Sequence, residues 1–486
     1  MSAMGILSQG LATDPGNIGD TWAQSRSALK TRLVRAALRG HNLHGQQPYK
    51  APPPWQTDTR YYQGNVVRTS TGGVYVAMST PAGYKSGPNE PSHDGSGGVT
   101  NAWDGTASQS VLWSHVFTAP WSMVDDAFAP TVTETRSASL PGGYTSAPPW
   151  VNRALLGFRG CDPQQHVASG GVNLVDYTSK SDGSLNIGGG SIVFGSDAPG
   201  HAFQVSSSGQ GIVVAVNDRL VTMGALGVQP DTNNVGVWGW NIIDFGKRQP
   251  RKWEILTGKD TASLYGLAVP AGAHIWSIVD DLYAALMSDS YFDGSAYGPW
   301  VPGNVLSASF GRRIGVPNMR RFAKGGTGLT ATNGGNYTFR ERLPQVIASK
   351  PDLGITMGSS NDAGQSYATI FAAATDYLKY WNDNTPAPMF WFGVPPIAAG
   401  TYSQLQTVDG AIADACAAQG AIFESLMAAP MPLFTHGANN AGITWSNNST
   451  IYLGGDLTHP VDKGTMYTRD VMVDRWFNSM LPRLAA

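Results

Sequence analysis

The feature that most constrains this chain is a change of hydrophobic pattern near residue 275. Upstream, from about 151, apolar runs are short (191–194, 211–216, 235–243), and Gly, Asn and Asp punctuate them. That rhythm belongs to short strands and tight turns, and no helix longer than two turns is indicated. It predicts a β-sandwich or jelly roll over 151–275. Downstream, over 276–486, apolar runs alternate with helical stretches, the signature of β-α units around a parallel sheet. Residues 305–311 and 367–382 read as helices, 355–358 and 389–394 as buried strands, and 465–480 as a closing helix. At 486 residues the chain is long enough for roughly two to four domains.

The first 150 residues divide further. Segment 1–57 carries a helix over 21–39, with Leu29, Leu33, Ala37 and Leu38 on one side and Arg26, Lys30, Arg32, Arg35 and Arg39 elsewhere around it. A docking helix with a solvated basic face is favoured over a membrane or nucleic-acid helix. Pro48 and Pro52 to Pro54 then make a stiff linker. Residues 58–118 form a small β-rich aromatic unit with strand-like runs at 61–68 and 73–78, closed by Trp103 and Trp113. Its aromatics either stack on sugars or form its own core. Residues 119–150 read as a connector, broken by Pro141-Gly142-Gly143 and Pro148-Pro149.

Composition excludes several functions. Charged residues are 14% and the net charge is −2, so no basic excess points to nucleic acid or anionic lipid. No apolar run reaches the roughly 18 residues of a membrane span. No basic stretch followed by an apolar one marks a Sec signal peptide. Cys161 and Cys416 lie far apart and outline no disulfide framework. No His/Cys cluster has metal-ligand spacing, so neither metal nor other cofactor is expected.

Four local signals carry chemistry. In Asp456-Leu457-Thr458-His459-Pro460, an Asp three residues before a His lets both project from one loop, the carboxylate holding one imidazole nitrogen while the other faces substrate. In Gly358-Ser359-Ser360-Asn361-Asp362, after the apolar strand 353–357, Asn361 sits at the carboxyl edge of the sheet. There it either stabilises an oxyanion or caps the next helix. In Ser288-Asp289-Ser290, Ser290 falls at a strand-to-helix turn near a helix amino terminus; taken alone it would read as an ordinary surface serine. In Lys324-Gly325-Gly326-Thr327-Gly328, glycine permits close approach of a backbone N–H to a reacting oxygen, or simply makes a turn.

Order and spacing of these four segments resemble the blocks of the SGNH (GDSL-like) hydrolase family, over roughly 276–486. The resemblance implies a flavodoxin-like α/β/α domain. It implies Ser290 as nucleophile, His459 as general base and acid, and Asp456 orienting His459. The implied oxyanion hole comprises the N–H groups of Ser290 and Gly325, with Gly326 or Gly328 as alternatives to Gly325, and the side-chain amide of Asn361. Ser288 stands where the family has Gly. No G-x-S-x-G elbow is present, which argues against the α/β-hydrolase fold.

With two β modules ahead of it, the arrangement also resembles carbohydrate esterases and phage tail-fibre or tail-spike deacetylases. That implies removal of O-acetyl groups from an acetylated, bacterial-surface polysaccharide by an extracellular or virion-associated protein. A homotrimer attached to the virion through its N-terminal segment would fit. A lipase or arylesterase of broader acyl specificity and a non-catalytic glycan-binding adhesin are the alternatives.

Overall fold

The computed structural model of the chain describes residues 18–38, 48–61, 64–79, 85–92, 102–105, 110–118, 126–135, 139–165, 171–187, 189–207, 212–222, 239–258, 262–280, 282–428, 432–435 and 448–484. Residues 1–17, the amino-terminal part of the expected virion-attachment segment, and 235–238 of one expected strand lie outside them.

The N-terminal helix, Ile18–Leu38, buries Leu29 and Leu33 of its expected apolar stripe in the core beneath the parallel sheet; the side chains of Ala37 and Leu38 lie outside the described ones. Arg32 pairs with Asp352 at 3.2 Å. The small unit after it is a four-stranded antiparallel sheet of Val66–Arg68, Gly73–Ser79, Ala102–Trp103 and Leu112–Thr118. The expected run 61–68 yields a strand only from Val66. Tyr61, Tyr75 and Trp113 are buried, and the Trp113 indole donates to Asp104 Oδ2 at 2.8 Å. These three aromatics are core, not a sugar-facing surface.

Two antiparallel sheets follow, packed face to face. One has eight strands: Thr131–Thr135, Tyr144–Ser146, Asp162–Gln165, Val172–Thr178, Leu185–Ile187, Gly200–Ser207, Trp240–Asp244 and Ala262–Pro270. The other has six: Gly157–Arg159, Ser191–Ser196, Ile212–Val216, Arg219–Leu220, Arg251–Thr257 and Ile275–Ser277. Leu174, Phe203, Ile243 and Leu267 from the first interleave with Ile192, Phe194, Val214 and Trp253 from the second in one core. The segment read as a connector supplies two of these strands. Its β-branched Thr131-Val132-Thr133 run pairs with Trp240–Asp244, although Pro and Gly flank it.

The parallel sheet has five strands: β1 (Tyr283–Ser288), β2 (Asn318–Ala323), β3 (Leu353–Met357), β4 (Met389–Phe392) and β5 (Ile422–Glu424). All neighbours are parallel and the order is β2-β1-β3-β4-β5. This is the doubly wound, flavodoxin-like order, whose ligands bind beyond the carboxyl ends of the strands where the winding reverses, between β1 and β3. The side chains of β1 alternate faces. Ala284 and Leu286 join the core with Leu306 and Phe310 of helix α2 (Leu306–Arg313). Ala285 and Met287 join the opposite core, with Phe339 and Leu343 of α3 (Phe339–Ala348), Trp381 of α4 (Tyr367–Asn384) and Ile412 of α5 (Tyr402–Gln419). The closing helix α6, Asp462–Arg475, starts three residues before the expected 465 and runs on into a π turn at Trp476–Met480.

Buried charges stitch the sandwich to this α/β unit. Glu254 of the six-stranded sheet lies between Arg159, at 2.9 Å, and Arg312 of α2, which also contacts it. Arg159 further pairs with Asp280 at 2.7 Å. Burial would raise the Glu254 carboxyl, but the two guanidinium groups hold it well below the usual carboxylate range.

Candidate active site

Ser290 opens the one-turn helix α1, Ser290–Asp293, directly after β1. Asp289 caps it, its Oδ1 accepting from the Tyr291 N–H at 3.1 Å. Ser288 causes no strain: its φ is not positive, and its buried hydroxyl donates to the Met357 carbonyl at 3.1 Å, tying β1 to β3. Asp289 is fully buried, and burial pushes its carboxyl up to about 6.

His459 and Asp456 come from the loop before α6. A Gly454 N–H to His459 carbonyl bond (2.8 Å) closes this loop, and the Tyr291 hydroxyl braces it by donating to the Thr458 carbonyl at 2.7 Å. Leu457 takes φ 51°, which lets the loop turn back so that the two side chains meet. His459 Nδ1 is 2.6 Å from Asp456 Oδ2, and His459 Nε2 is 2.9 Å from Ser290 Oγ. Asp456 Oδ1 accepts from the backbone N–H groups of Thr458 (3.0 Å) and His459 (3.1 Å). Burial opposes ionisation of Asp456, but the bonds from the His459 ring and these two amides outweigh it and hold its carboxyl below the usual range. The Tyr297 ring lies nearly parallel to the imidazole at 6.4 Å. The Asp456 and His459 side chains keep 30% and 25% exposure, so water reaches the site.

The oxyanion candidates converge less completely. Gly325 stands beside Ser290, a Cβ added to it falling 3.6 Å from the serine Cβ. However, its N–H donates to Asp293 Oδ2 at 2.9 Å, so this donor is occupied, contrary to the sequence expectation. The Gly328 N–H is committed to the Ala331 carbonyl at 2.9 Å. Releasing Gly328 means breaking a backbone turn, whereas releasing Gly325 needs only a side-chain rotation of Asp293. Gly326 has φ 74° and faces Asn333. Asn361 caps no helix: Ser359 and Ser366 are the caps at this end. Its amide Nδ2 donates one hydrogen to the Thr327 carbonyl at 3.0 Å, leaving the second. Asp362, next to it, accepts from the N–H groups of Leu329, Thr330 and Ala331 at 2.8–3.0 Å and clamps the glycine loop to the end of β3.

The sequence reading brought out Ser290, Asp456, His459, Gly325 and Asn361: the first three lie in one hydrogen-bonded line, Gly325 stands beside Ser290, and Asn361 follows β3 with its amide on the Thr327 carbonyl. It missed Asp289, Asp293, Tyr297 and Asp362. Asp289 and Asp362 carried a signal, each being the acid adjoining a named site residue. Among the described residues no group of three or more His, Cys, Asp or Glu side chains could hold a metal ion.

No family's sequence model matches the chain, and no curated protein matches it. Solved structures that it resembles include a salicylyl-acyltransferase from a tetracycline biosynthetic pathway, at 12% identity and TM-score 0.49, over 71% of this chain and 99% of that one. A family two carbohydrate esterase from Cellvibrio japonicus aligns at 11% identity and TM-score 0.46, over 73% and 100%. A GDSL-like lipase from Bacteroides ovatus aligns at 14% and 0.42, over 61% and 86%.

Proposed function

We propose that this chain is a serine esterase that removes O-acetyl groups from a polysaccharide, with Ser290, His459 and Asp456 as its triad. The observation that carries the reading is the continuous chain Ser290 Oγ–His459 Nε2–His459 Nδ1–Asp456 Oδ2, at 2.9 and 2.6 Å, on an open sheet edge. Ser290 Oγ attacks the ester carbonyl as His459 Nε2 takes its proton, and Asp456 stabilises the resulting imidazolium. The tetrahedral oxyanion is met by the Ser290 N–H and the second hydrogen of the Asn361 amide. The Gly325 N–H joins them once Asp293 turns aside. His459 then protonates the leaving sugar alcohol. A water deprotonated by His459 attacks the acyl-serine, the acyl–Oγ bond breaks as His459 returns the proton to Ser290 Oγ, and acetate departs. The exposure of His459 suits a bulky alcohol that stays outside the site.

The sandwich as a jelly roll, supported by its two antiparallel sheets, and a virion-borne homotrimer in contact with a bacterial surface, which rests on the resemblance to phage tail deacetylases alone, complete the proposal. Hydrolysis of p-nitrophenyl acetate by wild-type protein and by Ser290→Ala tests the centre of it. A fall of roughly 10³-fold or more in the variant is expected. Equal rates would remove Ser290 as the nucleophile. Acetate release from an acetylated glycan, and a sharp fall in rate beyond acetate along an acyl series, are expected of a deacetylase. A maximum at octanoate would instead identify a lipase.

A further inference from the structure

The strand Val172–Thr178 of the eight-stranded sheet reaches the back of the catalytic edge. Its Asp176 is wholly buried, as is Arg321 of β2, and the two form an ion pair. Arg321 Nε donates to Asp176 Oδ2 at 2.9 Å. Arg321 Nη1 donates to the carbonyls of Phe292 and Asp293, both at 3.0 Å. Those are the last two residues of the helix that Ser290 begins. The Asp293 carboxylate in turn holds the Gly325 N–H.

Beside this line runs a second. The Tyr177 hydroxyl donates to the Ala323 carbonyl at 3.0 Å. Lys324 Nζ donates to Asn186 Oδ1 at 3.2 Å, at the root of the glycine loop. A lone guanidinium facing two carbonyls in a dry interior would be poorly stabilised; the Asp176 carboxylate is what keeps it there.

We infer that Asp176 is a positioning residue for Ser290, so that the sandwich forms a structural half of the active site as well as an accompanying module. The inference rests on the assignment of Ser290 as nucleophile. Asp176 touches no reacting atom. It fixes Arg321, Arg321 fixes the end of α1, and the one-turn helix transmits that position to Ser290 Oγ. Misplacement of a reacting group by about 1 Å costs on the order of 10²-fold in rate. The charge-only change Asp176→Asn should therefore lower kcat by about tenfold to a hundredfold.

The test is steady-state hydrolysis of p-nitrophenyl acetate by the full chain, together with the rate of Ser290 labelling by a fluorophosphonate and the thermal midpoint. Asp176→Asn should lower kcat with KM changed less than about twofold, and slow labelling in proportion. Asp176→Glu, which restores the charge, should recover part of the loss. Asn186→Ala, which keeps the Asp176 charge but removes the Asn186 Nδ2 donation to Asp176 Oδ2 (3.3 Å) along with the Lys324 contact, should fold and move kcat in the same direction by less. Wild-type kcat and labelling in Asp176→Asn, with only the midpoint lowered, would overturn the inference and leave the pair as a weld. If Asp176→Asn does not fold, Asn186→Ala decides: an unchanged kcat there overturns it. Ser290→Ala run alongside separates the two failures. Turnover in that variant refutes the nucleophile, whereas an inert Ser290→Ala beside a fully active Asp176→Asn refutes only the positioning role.

Discussion

Replacing Asp456 by Asn changes one oxygen into an amino group, and the surrounding donors dictate where that group goes. Oδ1 accepts two backbone N–H groups, from Thr458 and His459, while Oδ2 faces His459 Nδ1. Were the amide to turn its oxygen toward the imidazole, its NH2 would confront two N–H donors, leaving both half-buried donors without their acceptor. The oxygen therefore stays with the backbone and the NH2 faces Nδ1. Nδ1 must then present its lone pair, and the ring proton moves to Nε2, opposite Ser290 Oγ. In that tautomer His459 cannot accept the serine proton. The expected loss in kcat is about 10⁴, the size seen when a triad carboxylate becomes an amide, or roughly 5 kcal/mol of transition-state stabilisation at 1.36 kcal/mol per decade. Because both backbone bonds survive, the thermal midpoint should hold. The assay is steady-state hydrolysis of p-nitrophenyl acetate at neutral pH beside a melting curve. A variant within tenfold of wild type, with Ser290→Ala inert, would refute the tautomer argument.

Three further outcomes are expected. Asn361→Ala should lower kcat by two to three decades, the 2.7–4 kcal/mol typical of a lost oxyanion donor; its thermal midpoint should barely move, since Ser359 Oγ also donates to the Thr327 carbonyl. Gly328→Ala would put a Cβ 2.3 Å from Asp362 Oδ2 and 2.5 Å from Ser359 Oγ, whereas at Gly325 the nearest atoms are 3.6 Å away; denaturant titration should show a loss of about 1–3 kcal/mol for the former and little for the latter. His201, buried among Phe194, Phe203 and Trp253, has its imidazole pushed down to about 3 by burial. Its unfolded form binds a proton near 6.5, so the unfolded state gains protons as pH falls through 6.5 and stability is lost on acidification. Between pH 6.5 and 5 this amounts to about 2 kcal/mol. His201→Phe should flatten the fall by that amount in urea titrations, and an unchanged slope would exclude His201 as its source.

What the sequence made legible was local. Asp456 and His459 lie three residues apart on one loop, and the switch from strand rhythm to β-α alternation is visible by eye. Helices α3 and α5 were not found. Pro344 sits inside α3 and hides it, although Thr338 and Glu341 spell a capping box. The inward face of α5 mixes Ala411 and Ala415 with Leu405 and Ile412, so its periodicity is faint. The Asp293–Gly325 bond and the Asp176–Arg321 pair leave no trace in the sequence, because their partners are brought together only by the winding of the sheet and the docking of the sandwich. Site residues that pair with a neighbour in sequence, as Asp456 does with His459, could be read; those that steady the site from another layer could not.

The ion cluster at Glu254 bears on where such a chain can be divided. The α/β unit cut free near residue 280 would carry Arg312 without Glu254 and Arg321 without Asp176, two guanidinium groups without their counter-charges on a newly exposed face. Within the intact chain, where both guanidinium groups are buried, removing either counter-charge costs about 3–5 kcal/mol. The sandwich and the parallel sheet are thus joined by charges that neither layer can neutralise alone, unlike beads on a string.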